Sequence, residues 1–305
     1  MTDTRFLPVP DALVGERLDI ALSRMLGLSR ANVAKLIDHE QVRVDGQVVM
    51  KSLRLPAAAM IEIDMAQPQP PAAPIVGMDI LYNDEDLVVV NKPVGVAAHT
   101  GPGWDGPTVL AALEAAGMRI STSGPPERQG IVHRLDVGTS GAMAVAKSEL
   151  AYTKLKHAFK ERRVGKTYHA LVEGHPDPDR GTIDAPIARH PSKEWRMGVV
   201  ENGRRAITHY RTLELLPKAA LVEIQLETGR THQIRVHFSA IGHPCIGDTF
   251  YGANEEEAKR LDLTRQWLHA VDLRFIHPRT RQSMTVTAPY PDDLELVLSQ
   301  YRRWQ

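Results

Sequence analysis

His133-Arg134-Leu135-Asp136-Val137-Gly138-Thr139-Ser140-Gly141 is the stretch on which the reading of the fold turns. A carboxylate follows Leu135, with an arginine and a histidine before it and small, turn-forming residues behind it. The apolar run from Ala142 to Ala146 then reads as a buried strand. Asp136 is therefore expected on a loop between two strand-like segments, Ile131-Val132 and Met143 to Ala146, and loops braced by a rigid scaffold commonly present chemistry. An aspartate is ionised at neutral pH and can attack an electrophilic sugar carbon without a base to activate it. Arg134 is placed to orient such a carboxylate. The plainer alternative, a loop cap or a structural Arg134–Asp136 pair, stays open on these residue types alone. A protein-kinase loop does not fit, because Leu135 separates arginine from aspartate and Gly141 stands where an asparagine is needed.

The 305 residues allow one large or two modest domains. Apolar content of 43% and charged content of 24% are those of an ordinary globular chain with a substantial core. Cys245 stands alone, so neither an intrachain disulfide nor a cysteine metal cluster can form. The N-terminus lacks an apolar signal segment, and no run of about 18 apolar residues occurs, so a cytoplasmic protein with no membrane partner is expected. Net charge is zero, which argues mildly against a nucleic-acid partner. The charge is segregated, however. Lys154 to Lys166 holds six basic residues against Glu161, and Arg189 to Arg211 holds six against Glu194 and Glu201. Either run alone reads as a solvated face; together they can present a basic face to RNA.

Residues 1–14 read as an irregular lead-in. Helical spacing over Glu16 to Leu26 is closed by Gly27, and Ser29 can cap a second helix carrying Val33, Leu36 and Ile37. Val42 to Val49 reads as a hairpin with Asp45-Gly46 at its tip, followed by a strand over Met60 to Met65. Residues 66–75 are a proline-rich linker, so the boundaries fall at 15–65 and 76–305. In the larger part, strands are expected near Ile80 to Tyr82, Leu87 to Val90, Lys166 to Val172, Ile207 to Leu215, Ala220 to Leu226, Leu268 to Phe275 and Met284 to Ala288. Helices are expected over Thr108 to Ala116, Glu149 to Arg163, Asn254 to Leu261 and Pro291 to Tyr301, with Thr231 as the cap of another. The fold class is α+β: a large mixed, mostly antiparallel sheet with flanking helices, preceded by a small α+β domain. His232, His237 and His243 lack the spacing and companion ligands of a zinc site, so no metal is expected.

His133 to Gly141 closely resembles the signature of the RNA pseudouridine synthases. Asn91-Lys92-Pro93-Val94-Gly95, Lys166-Thr167-Tyr168 and Gly229-Arg230-Thr231-His232-Gln233-Ile234-Arg235-Val236-His237 are similar to further motifs of that family, in the same order. Residues 15–65 resemble the S-four RNA-binding module, with Arg24, Arg30, Lys35, Arg43, Lys51 and Arg54 as its basic residues. The resemblance implies Asp136 as the catalytic residue, Arg235 as its ion-pair partner (Arg230 second choice), and Tyr168 stacked on the uracil or moving a proton. It also implies that Val236 packs beside the base, that Arg134 fills the gap left by the flipped nucleotide, and that His133, Arg230 and Thr139 lie at the substrate. Lys92 and His99 are read as structural or RNA-facing. The segments Pro186 to Pro191 and Thr208 to Arg211 are similar to the branch acting on large-subunit ribosomal RNA. The implied activity is isomerisation of uridine to pseudouridine in that RNA, free or in an assembling subunit, by a monomer. Isomerisation needs no cofactor. The competing readings are a non-catalytic assembly factor that kept the fold, and a glycoside hydrolase, which would need a second acid.

Overall fold

A computed structural model describes residues 4–64, 77–101 and 103–304. The proline-rich segment expected as a linker lies outside the described residues, as does the Lys35 side chain. The chain divides into two compact units, Met1–Ala72 and Ala73–Gln305. Among the described residues no helix is long and apolar enough to cross a membrane.

The small unit is a four-stranded antiparallel sheet, in the order β1-β4-β2-β3, covered by two helices. Its strands are β1 (Thr4–Pro8), β2 (Val42–Val44), β3 (Gln47–Val48) and β4 (Met60–Asp64); its helices are α1 (Leu18–Leu26) and α2 (Arg30–Asp38). Leu18 and Leu22 of α1 and Val33 and Ile37 of α2 meet Val42 and Ile61 in its core. Gly27 ends α1 in the left-handed conformation that favours glycine. Asp45 and Gly46 both have positive φ, the requirement of the tight hairpin turn their sequence announces. Residues 4–8 are not an irregular lead-in: β1 runs antiparallel to β4, Thr4 opposite Asp64. Several of the basic residues have local partners. Arg30 pairs with buried Asp19 at 2.7 Å, Arg24 with Glu16 at 3.5 Å, and Arg54 donates to the Gly15 carbonyl.

The large unit contains β5 (Asp79–Asn83), β6 (Leu87–Lys92), α3 (Val109–Ala115), β7 (Ser140–Ala146), α4 (Glu149–Lys160) and β8 (Gly165–Glu173). Then follow β9 (Arg180–Asp184), β10 (Ile187–His190), β11 (Lys193–Val199), β12 (Ile207–Leu216), β13 (Ala219–Leu226) and α5 (Gln233–Ala240). The chain closes with α6 (Glu255–Arg260), β14 (Leu268–Ile276), β15 (Ser283–Thr287) and α7 (Asp292–Arg303). One sheet runs β5-β6-β7-β14-β8-β13-β12-β9, with β15 added to β14; β10 and β11 form a separate hairpin. Among the described strands the pairing of β7 with β14 alone is parallel, at Ser140–His269 and Gly141–Ala270. The other pairings are antiparallel, so the sheet is mixed and mostly antiparallel, as expected.

β7 is buried at every position. Met143 and Val145 enter one core cluster and Ala142, Ala144 and Ala146 another, which is why the strand reads as a continuous apolar run. Gly141 is obligatory at the seam. Its φ is +119°, and a Cβ there would come within 2.2 Å of the Ala270 carbonyl oxygen. Ile131-Val132 is not a strand but a single bridge from Ile131 to Val145. The helix caps follow the sequence: Thr108 accepts from Ala111 N–H and Ser148 from Ala151 N–H, each at 3.1 Å.

Candidate active site

Asp136 opens the tight turn into β7, closed by a hydrogen bond from Thr139 N–H to its carbonyl at 3.0 Å. Leu135 is driven into the main core, so Arg134 and Asp136, its neighbours on either side, face outward into a cavity of about 430 Å³. The turn is held from beneath. Lys92, wholly buried at the end of β6, donates from Nζ to the carbonyls of Pro93 (2.8 Å), Val96 (2.8 Å) and Val137 (3.4 Å). Gly95 N–H donates to the same Val137 carbonyl at 3.0 Å. Burial lowers the Lys92 amine to about 7, against the upward pull of Asp136. From the other side Arg265, itself gripped by Asp293 at 2.6 and 2.8 Å, reaches Ser140 Oγ at 3.1 Å. His269 Nε2–H donates to the Ala288 carbonyl, which leaves Nδ1 to accept from Ser140 Oγ at 2.8 Å. Gln266 Nε2 donates to Thr139 Oγ1 at 3.2 Å.

The cavity gathers Asp136, Arg134, His133, Thr139, Tyr168, Arg230 and Arg235. Among the described residues the Asp136 carboxylate accepts no hydrogen bond and makes no ion pair, although its charge is felt by Lys92, Tyr168, His232 and Arg235. Tyr168 lies on β8 between Ile224 of β13 and Ala270 of β14, and only 8% of it is exposed. Burial, reinforced by Asp136, raises its phenol, so it remains protonated at neutral pH. Burial lowers His133 to about 3. Its neutral Nε2 accepts from Ala144 N–H at 2.9 Å and its ring stacks on Phe159, 4.6 Å between centroids. Thr139 is buried and committed to holding the turn. Basic side chains dominate the rim. Arg162 and Lys166 lie on one side, with Lys166 lowered to about 8 by burial and by Arg162. Arg230, on the other, donates from Nε to the Arg205 carbonyl.

Two site expectations are corrected. Arg235 does not pair with Asp136. Its guanidinium makes a two-pronged contact with Asp248, Nε to Oδ2 at 2.6 Å and Nη2 to Oδ1 at 2.8 Å, and lies over the Tyr251 ring at 4.8 Å. Asp248 is almost fully desolvated, and such a carboxylate holds its fork more firmly than one open to a cavity. Burial would pull the Arg235 guanidinium down; Asp248, with Asp136 adding, more than offsets this and leaves it raised. Val236 does not line the cavity. It packs with Ile187, Ala206 and Tyr251 on the far face of α5, while Ile234 reaches the cavity. The helix also starts later than expected: it begins at Gln233, and His232 precedes it in a left-handed conformation, so Thr231 does not cap it.

Gln233 is a further positioning residue that the sequence reading passed over. Its Oε1 accepts from Thr228 Oγ1 and Arg230 N–H, and its Nε2 donates to the Ile207 carbonyl and Thr208 Oγ1, which pins the loop carrying Arg230 to β12. Elsewhere, Asp84, Asp86 and His277 converge, but protein donors fill them. Arg279 forks onto Asp86 at 2.6 and 2.8 Å, and Tyr82 and His277 both reach Asp84.

A family model described as RNA pseudouridylate synthase matches residues 86–240, the segment that builds this cavity. The chain belongs to the RNA pseudouridylate synthase family. It is thus an RNA pseudouridine synthase, an isomerase. A second model, the S4 domain, matches residues 16–60 of the small unit. An uncharacterised RNA pseudouridine synthase of Mycobacterium bovis is 55% identical over 298 residues, covering 96% of this chain and 97% of that one. Ribosomal large subunit pseudouridine synthase D of Nitrosomonas europaea is 40% identical over 305 residues, covering 97% and 87%. Among solved structures, human RNA pseudouridylate synthase domain containing 1 matches with a TM-score of 0.58 and 33% identity, covering 72% of the synthase and 86% of that chain.

Proposed function

We propose that the synthase isomerises uridines of large-subunit ribosomal RNA, with Asp136 as the carboxylate that acts on the ribose. The observation that carries this is the unpaired Asp136 carboxylate in a basic cavity beside the buried ring of Tyr168. The name of the Nitrosomonas relative supports the choice of RNA. A cavity of about 430 Å³ suits one nucleotide taken out of its stack. Tyr168 offers its ring to the uracil. Its raised phenol makes it a donor rather than a base. Arg134, exposed beside Asp136, is placed to fill the gap in the RNA.

The N1–C1′ bond breaks, the uracil turns within the cavity, and C5 bonds to C1′. The C5 proton leaves to solvent and N1 takes up a proton, so atoms and electrons balance without a carrier. Asp136 starts this by attack at C1′ or by taking a ribose proton. The Arg235–Asp248 pair leaves the Asp136 carboxylate free for either step.

The test is tritium release from unmodified large-subunit ribosomal RNA carrying [5-³H]uridine. Wild type releases tritium; Asp136→Asn releases none while binding the RNA with similar affinity. Full activity in the Asn variant would remove Asp136 from the mechanism.

A further inference from the structure

The hairpin of β10 and β11 takes no part in the large sheet, yet it carries Trp195, which is 64% exposed. A lone exposed aromatic needs no explanation. This one is not alone. Its ring meets Phe250, itself 38% exposed, edge to face at 4.8 Å between centroids. Phe250 packs in turn on Tyr251 at 5.0 Å and faces His232 at 6.1 Å. His232 is a wall of the cavity that holds Asp136. A continuous line of rings therefore runs from the cavity wall out to solvent, with Trp195 exposed at its outer end.

The line is fixed in place and flanked by positive charge. Met197 N–H donates to the Tyr251 hydroxyl at 3.2 Å, and Arg196 lies over the Tyr251 ring at 5.4 Å while donating to the Phe250 carbonyl. Lys193, Arg204 and Arg205 are exposed along the same hairpin and the loop after it. Rigid aromatic faces beside lysine and arginine suit unpaired nucleotides, whose bases stack and whose phosphates are neutralised. Continuity with the cavity and charge complementarity both favour RNA over an apolar protein partner.

We propose that Trp195 and Phe250 form a stacking platform for unpaired bases adjoining the target uridine. This rests on the reading of the cavity as the site of uridine isomerisation. Once a uridine is drawn into the cavity, its neighbours lose one stacking partner; the platform supplies a replacement ring beside the cavity wall.

The experiment uses the full chain and an unmodified transcript of bacterial large-subunit ribosomal RNA. Pseudouridine formation and RNA affinity are measured for wild type, Trp195→Ala, Trp195→Leu and Trp195→Tyr. Loss of one base–aromatic stack weakens binding by about tenfold. Trp195→Ala and Trp195→Leu should therefore raise KM by about that factor, while Trp195→Tyr stays within about threefold of wild type. No phosphate contact is removed, so the slope of log affinity against log salt should stay as in wild type. Tryptophan emission lost in Trp195→Tyr should be the component that RNA quenches in wild type.

An unchanged KM in Trp195→Ala, or rescue by leucine as good as by tyrosine, overturns the platform and leaves the isomerisation reading standing. A wild type that forms no pseudouridine overturns that reading, and the platform with it. Trp195 is a surface side chain, and thermal unfolding of each variant separates a folding defect from lost stacking.

Discussion

Replacing Asp248 with asparagine removes a negative charge without changing shape, and the structure says what that should cost. The carboxylate side chain is 1% exposed and that of Arg235 10%. Both prongs of the fork are short, at 2.6 and 2.8 Å. Removing one partner of a buried ion pair strands the other charge and typically costs 3–5 kcal/mol. Here the stranded guanidinium keeps two rings, Tyr251 at 4.8 Å and Phe250 at 5.6 Å, and the charge of Asp136. The low end, about 3 kcal/mol, is therefore expected. For a unit the size of Ala73–Gln305 that corresponds to a fall in Tm of about 6 to 12 °C, read by scanning calorimetry on the transition of the large unit. Arg235→Met combined with Asp248→Leu should recover most of the loss, because it leaves no charge unpaired. A drop below about 2 °C in Asp248→Asn, or strict additivity in the double variant, would refute the account of Asp248 as the partner that holds Arg235.

Lys92 makes stability depend on pH. Its folded value near 7 lies below that of a lysine in the unfolded chain, so between roughly pH 7 and 10 the unfolded state binds more protons and stability rises with pH. That contribution is lost as pH falls through 7. Lys92→Met should lack it, so urea titrations at pH 7 and 9.5 should show the wild type gaining on the variant by about 1 kcal/mol per pH unit; parallel profiles would contradict the assignment. Gly141→Ala should cost about 3 kcal/mol or more in urea unfolding, because the new Cβ meets the Ala270 carbonyl in a strained backbone conformation. Deleting residues 1–72 should weaken RNA binding in filter assays more than it slows the single-turnover rate at saturating RNA.

Where a residue's role rests on its neighbours in sequence, it was legible. The continuous burial of β7, the Asp45-Gly46 turn, and the helices after Thr108 and Ser148 follow from local chemistry. Asp136, Tyr168 and Arg235 stood out because their strings resemble the family's motifs, and the fold does bring them to one cavity. The partner of Arg235 was not legible. Asp248 lies 13 residues on, across a turn, where helical spacing says nothing. Lys92 was legible only as structural or RNA-facing: lysines are seldom buried, and only the three carbonyls converging on Nζ show that this one is structural. β1 and β10 were missed because they are short and carry little apolar alternation, and β11 because its alternation of Trp195, Met197 and Val199 stands alone, outside the large sheet.

During translation, the supports of the Asp136 turn emerge far apart in time. Arg265 lies 125 residues beyond Ser140, the hydroxyl it grips, and at 5–20 residues per second that interval is on the order of 6 to 25 s. Until β14 leaves the ribosome, β7 has an open edge where its parallel partner belongs, and neither Gln266 nor His269 is present to brace the turn. The S4 unit, whose β1 and β4 close its sheet by residue 64, carries no such delay. A nascent chain of this synthase therefore completes its S4 unit before it can brace the turn that carries Asp136.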